Sequence, residues 1–167
     1  MGHKLPDSGE SGWHDKHWWN SLENYLELHW KHLTEHTFVE DPIKSYIDVI
    51  SIPLEEEEIL CLEGEIFCKH GVVLEVEKYA EVTKRRGRQR VRTFLYRYNA
   101  VISGKWNVLR YDNLHEDSDE YHRHVFDLES GEQIGDTQIL SRHEFPVMHE
   151  ILNELEEMFK VRNIQNA

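Results

Sequence analysis

Arg110, Asp112, His115, His122 and His124 fall within fifteen residues of one another, and Asn113 lies among them. This set holds the side-chain types that proton transfer, metal ligation and phosphate binding use. His122 and His124 are two apart, so an extended chain points both to one face. A short acidic loop joining two paired strands would bring Asp112, Asn113 and His115 toward that face. Three arrangements fit these residues. In the first, one histidine takes a proton from a ribose 2′-hydroxyl and another protonates the leaving oxygen, while Arg110 or Arg97 stabilises the crowded phosphate. Histidine suits this because its unperturbed pKa lies near neutrality. In the second, His122 and His124 with Asp112 or His115 hold a divalent metal that activates water. In the third the cluster is structural: Arg110 pairs with Asp112, and the histidines bond within a sheet.

The elements that would position these residues follow from hydrophobic period. Beyond residue 58 the chain alternates in the manner of strands, with turns at His70-Gly71, around Gly87, at Ser103-Gly104-Lys105 and at Glu129-Ser130-Gly131. This predicts five to six antiparallel strands in meander order. On a long strand over residues 90–103, strict alternation puts Arg92, Phe94, Tyr96 and Tyr98 on one face. Arg110 and Asp112 of the following strand are expected to join that face. Such a surface offers cations for phosphate and rings for base stacking. Arg88 and Arg90 belong to a basic turn leading into it.

Two helices are predicted before the sheet. One starts at an Asn20/Glu23 capping box and runs through Leu22, Tyr25, Leu26, His29 and Leu33. Trp18, Trp19 and Trp30 are expected to pack it against the domain, and His29, His32 and His36 to form an exposed polar stripe. The second starts at Asp41-Pro42, continues through Ile43, Tyr46, Ile47 and Ile50, and closes at Pro53. A last helix follows Ser141, with Phe145, Met148, Ile151, Leu152, Leu155 and Phe159 as its apolar stripe, regular only beyond Pro146. The expected architecture is α+β: a meander sheet with a carboxy-terminal helix on one face, residues 56–163, and an amino-terminal helical extension, residues 1–55.

The 167 residues carry a net charge of −13, which argues against nucleic-acid binding over the whole surface. The charge is polarised, however: eight Lys and Arg lie between Lys78 and Arg97 against the single acid Glu81. No apolar run is long enough to span a bilayer and the first residues lack a secretory core, so a cytoplasmic, membrane-free protein is expected. Cys61 and Cys68, seven apart, would face opposite sides of a strand and stay reduced.

The stretch Val91-Arg92-Thr93-Phe94-Leu95-Tyr96-Arg97-Tyr98-Asn99-Ala100, then Leu109-Arg110-Tyr111-Asp112-Asn113, then His122-Arg123-His124 resembles the TumE-type toxins of prokaryotic toxin–antitoxin pairs, over about residues 58–159. The resemblance implies a growth-inhibiting toxin neutralised by a cognate antitoxin that carries a DNA-binding region. By analogy with other compact toxins, RNA is the first substrate to consider. The expectation is an endoribonuclease with His122 and His124 as acid and base, Asp112 and His115 assisting, and Arg97, Arg110, Arg92, Tyr96, Tyr98, Arg88, Arg90 and Asn113 on substrate. It needs no cofactor, although a divalent metal on His122, His124 and Asp112 stays open, as does a homodimer. The rival from another class is a non-catalytic module that binds a protein partner through the basic hairpin and the tryptophan-rich helix.

Overall fold

The computed structural model describes residues 17–113 and 120–165, the side chains of residues 85, 88, 164 and 165 excepted. His115 therefore lies outside the described residues. The elements run β1 (Trp18–Trp19), α1 (Leu22–Glu35), β2 (Val39–Pro53), β3 (Glu57–Cys68), β4 (Val72–Arg85), β5 (Arg88–Ile102), β6 (Asn107–Asp112), β7 (Tyr121–Val125), β8 (Gln138–Leu140) and α2 (Met148–Gln165). One antiparallel sheet has the order β2-β3-β4-β5-β6-β7-β8, and the short β1 pairs with β5 where β5 extends past β6. The fold is α+β as expected, with eight strands rather than five or six. Among the described residues no helix is long and apolar enough to cross a membrane.

The additional long strand comes from the segment read as a second helix. Asp41 does begin a turn: its Oδ1 accepts from Lys44 N at 3.0 Å, and its carbonyl accepts from Ser45 Oγ at 2.6 Å. The turn stops there. Residues 42–45 bulge out opposite Ile66 alone, and the chain continues extended, with Tyr46 against Glu65 through Pro53 against Glu58. The β-branched run Ile47, Val49, Ile50, Ile52 prefers a pleated surface, and pairing with β3 outweighs a local helix start. Gly64 of β3 permits this pairing, because a Cβ there would sit 2.0 Å from Tyr46 O.

Both helices contribute to one core with the inner face of the sheet. Tyr25 and Leu33 of α1, and Met148, Ile151, Leu152, Leu155 and Phe159 of α2, pack with Leu62, Ile66, Leu74, Val76, Ala80, Tyr96, Tyr98 and Leu109. Ser21, not Asn20, caps α1, accepting from Asn24 N. The Ser141/Glu144 box forms, yet α2 starts only at Met148, after Pro146. Cys61 and Cys68 are free and buried; burial pushes the Cys68 thiol up to about 12.

Candidate functional site

Register alone aligns the polar residues of the outer face, since directly paired residues on antiparallel strands share a face. One row runs Asp48, Glu63, Glu77, Arg97, Asp112, His122 and Ile139 across seven strands. The adjacent row runs Tyr46, Glu65, Glu75, Asn99, Arg110 and His124. The face is thus acidic on β2–β4, while Arg97, Arg110 and both histidines stand on β5–β7. Asp112 is the buried centre of this second half, 1% exposed. Its Oδ2 accepts from Arg110 Nε at 2.6 Å, and its Oδ1 lies 3.9 Å from His122 Nδ1. His122 Nε2 lies 3.1 Å from exposed Glu120. The His122 and His124 rings are 6.3 Å apart, and His124 Nδ1 contacts Thr137 Oγ1 at 3.2 Å. Arg97 bonds Glu77 at 3.3 Å.

Arg97, Arg110, Asp112, His122 and His124 are therefore brought together. Tyr96 and Tyr98 are not: each is 1% exposed and points to the core. The cause is a β-bulge between the pairs Tyr79–Leu95 and Ala80–Thr93, which inserts one residue into β5. Strict alternation fails at that point, so Arg92 keeps the outer face while Tyr96 and Tyr98 turn inward. These buried rings cannot stack on a surface ligand. Arg92 bonds Glu81 at 2.7 Å and lies over the Trp18 ring. Arg90 is on the same face, about 20 Å along the strand from Arg97 at roughly 3.3 Å per residue, and Arg88 begins β5 at the hairpin tip.

Asn113 serves the bulge. Its Oδ1 accepts from Tyr96 N at 2.7 Å and its Nδ2 donates to Phe94 O at 2.8 Å, satisfying backbone groups that the bulge takes out of the ladder. Arg123, between the two histidines, points the opposite way and donates to Tyr111 Oη and Glu154, joining the sheet to α2. Part of the motif is therefore architectural. Among the described residues no three His, Cys, Asp or Glu form a metal-binding group.

A second cluster lies on the inner face, where sequence reading placed nothing. Lys78 is 4% exposed in the inward row Val72, Leu74, Val76, Lys78, Ala80, Val82. That lone charge in an apolar alternation was the available signal. Its Nζ donates to His29 Nε2 at 2.8 Å and lies 5.4–5.9 Å from the Tyr25, Tyr96 and Tyr98 ring centres. His29 Nδ1 in turn donates to Tyr25 O at 2.7 Å, which fixes its tautomer. Burial pulls the Lys78 amine down to about 7. Burial, then Lys78, holds His29 well below the usual imidazole range. His32 stacks on His149 of α2 with ring centres 4.9 Å apart, and burial with His149 brings it to about 4. His36 bonds Asn153. His29 and His32 of α1 and His36 at its C-cap are thus interior or tied contacts, not an exposed stripe.

No family model, curated protein or solved structure matches the chain.

Proposed function

We propose that the outer face of β5–β7 binds a phosphodiester and that the chain is a toxin-like endoribonuclease. The reading rests on one observation: His122 and His124 stand 6.3 Å apart on the open face, with Arg110 and Asp112 directly opposite them. Hydrogen bonds of about 2.8 Å from the two rings would reach the two oxygens flanking one phosphorus. His122, beside the buried Asp112 carboxylate, is the better base, because that charge stabilises the imidazolium formed when it takes the 2′-hydroxyl proton. Substrate would displace Glu120 from its Nε2. The 2′-oxygen attacks phosphorus, His124 protonates the departing 5′-oxygen, and a 2′,3′-cyclic phosphate remains. Arg110 and Arg97 each use Nε on a carboxylate, and a guanidinium has further donors for phosphate oxygens. Arg92 and Arg90 on the same face provide a cationic approach along β5. Neutralisation by a cognate antitoxin belongs to the same reading.

The test is cleavage of short RNA by the purified chain, with and without chelator. Chelator-insensitive cleavage ending in a cyclic phosphate is expected, with loss of about 10²–10⁴-fold in His122→Ala and His124→Ala. A folded His124→Ala that cuts RNA and arrests growth as well as the parent would sink the assignment. Cleavage abolished by chelator would replace it with a metal-dependent phosphodiesterase. A second reading, a protein-binding module, is favoured by the apolar Ile50, Ile52 and Leu54 exposed at the β2 edge of the sheet. No cleavage, with partner binding retained, would select it.

A further inference from the structure

Between α1, the start of α2 and the inner face of the sheet lies a cavity of about 20 Å³. Its polar lining is Lys78, His17, His29, His32, His149 and Thr93, with Trp19, Tyr25 and Tyr96 among the rings around it. This lining contains basic groups and no carboxylate, in a chain of net charge −13. A buried ammonium ordinarily has a carboxylate partner; Lys78 has a neutral imidazole and three aromatic rings. Two further polar atoms at the cavity, His32 Nε2 and His149 Nδ1, are buried without a hydrogen-bond partner. The Tyr98 hydroxyl is also buried without a partner, and its ring centre lies 5.4 Å from the same amine.

We propose that this cavity is a binding site for one small monovalent anion of halide size, held by the Lys78 ammonium and the His32–His149 pair. It is independent of the outer-face chemistry and on the opposite side of the sheet. The volume sets the size, since about 10–15 Å³ accommodates one water-sized particle. A phosphate or a longer carboxylate does not fit. The charge follows from the lining: the groups facing Lys78 are His29 and Tyr25 from α1, and Tyr96 and Tyr98 from β5. His149 and Glu150 come from α2, with Glu150 receiving the Val147 N–H at 3.2 Å. Met148 and His149, at the start of α2 and hence at its positive end, also line the cavity. Anion binding neutralises a charge that the fold otherwise leaves uncompensated, so anion and proton bind together.

The experiment is thermal unfolding of the full chain in potassium chloride against potassium gluconate at equal ionic strength, from pH 6 to pH 9. Gluconate is too large to enter. Chloride should raise Tm relative to gluconate at pH 6, with apparent affinity falling about tenfold per pH unit above about pH 7. Lys78→Met should abolish the difference between the salts. His149→Phe keeps a ring on His32 without its nitrogens and should weaken chloride binding while Lys78 stays in place. Identical Tm in the two salts at pH 6, or a chloride increment that survives in Lys78→Met, would overturn the proposal. Formate or acetate stabilising where chloride does not would overturn the halide assignment.

Discussion

Lys78→Met isolates the energetic consequence of one buried amine. Folding lowers its pKa from 10.5 to about 7. At 1.36 kcal/mol per pKa unit, keeping Lys78 protonated in this interior costs about 5 kcal/mol. Between pH 7 and 10.5 the unfolded chain holds the proton and the folded chain does not, so stability rises with pH across that range. From pH 7 to 9.5 this single group should contribute a rise of about 3 kcal/mol. Other titrations flank or enter the window and are common to parent and variant. The buried Cys61 and Cys68 thiols, raised from 9.0, cost stability as pH passes 9. The depressed His29 and His32 cost stability as pH falls below their ordinary 6.5. Burial raises Tyr25, Tyr96 and Tyr98, so they cost stability above pH 10. Methionine fits the same slot without charge, although it leaves His29 Nε2 without its donor, a loss of about 1–3 kcal/mol that does not vary over the window. The slope is therefore the observable. Urea unfolding in gluconate buffers from pH 7 to 9.5 should show the parent gaining about 3 kcal/mol more than Lys78→Met. Parallel curves for the two proteins would refute the assignment of Lys78 as a buried, uncompensated amine.

Other consequences concern the scaffold. Asn113→Ala removes both side-chain bonds at the β5 bulge and should cost about 3 kcal/mol in urea unfolding, from two backbone groups left without partners. A cost under about 0.5 kcal/mol would mean that water replaces the clamp. Gly64→Ala places a methyl 2.0 Å from Tyr46 O, against backbone, and should destabilise by about 3 kcal/mol. Hydrogen exchange should show protection lost along β2 and β3 while β5–β7 keep theirs. Uniform loss across the sheet would mean that β2 is not a separable edge.

Local chemistry in the chain was enough to place several elements. The C-terminal stripe from Phe145 to Phe159 is buried as its 3.6-residue period demands, because a helix hides one face whatever it packs against. The turns at Gly71, Gly87 and Gly104 adopt positive φ at the places where glycine interrupts β-rich runs. The proximity of Arg110 and Asp112 to His122 and His124 was also legible, since consecutive antiparallel strands pair directly. What was not legible depended on partners distant in sequence. Asp41-Pro42 carries a true helix-start signal, and it makes its one turn; whether a helix follows is decided by β3, which offers a ladder to Ile47 and Ile50.

The sequence determined the elements that a short window can satisfy: the α2 stripe, the hairpin turns and the polar residues of β6 and β7. Tertiary structure decided which face each residue occupies. A single inserted residue in β5, stabilised from Asn113, exchanges Tyr96 and Tyr98 for Arg97 and Asn99 opposite Arg110 and Asp112. Lys78 illustrates the same division, because in the chain it is one of eight neighbouring bases. Its inward position on β4, beneath a histidine of α1, changes it from a solvated cation to a buried amine, because burial depends on what the rest of the molecule brings to that face.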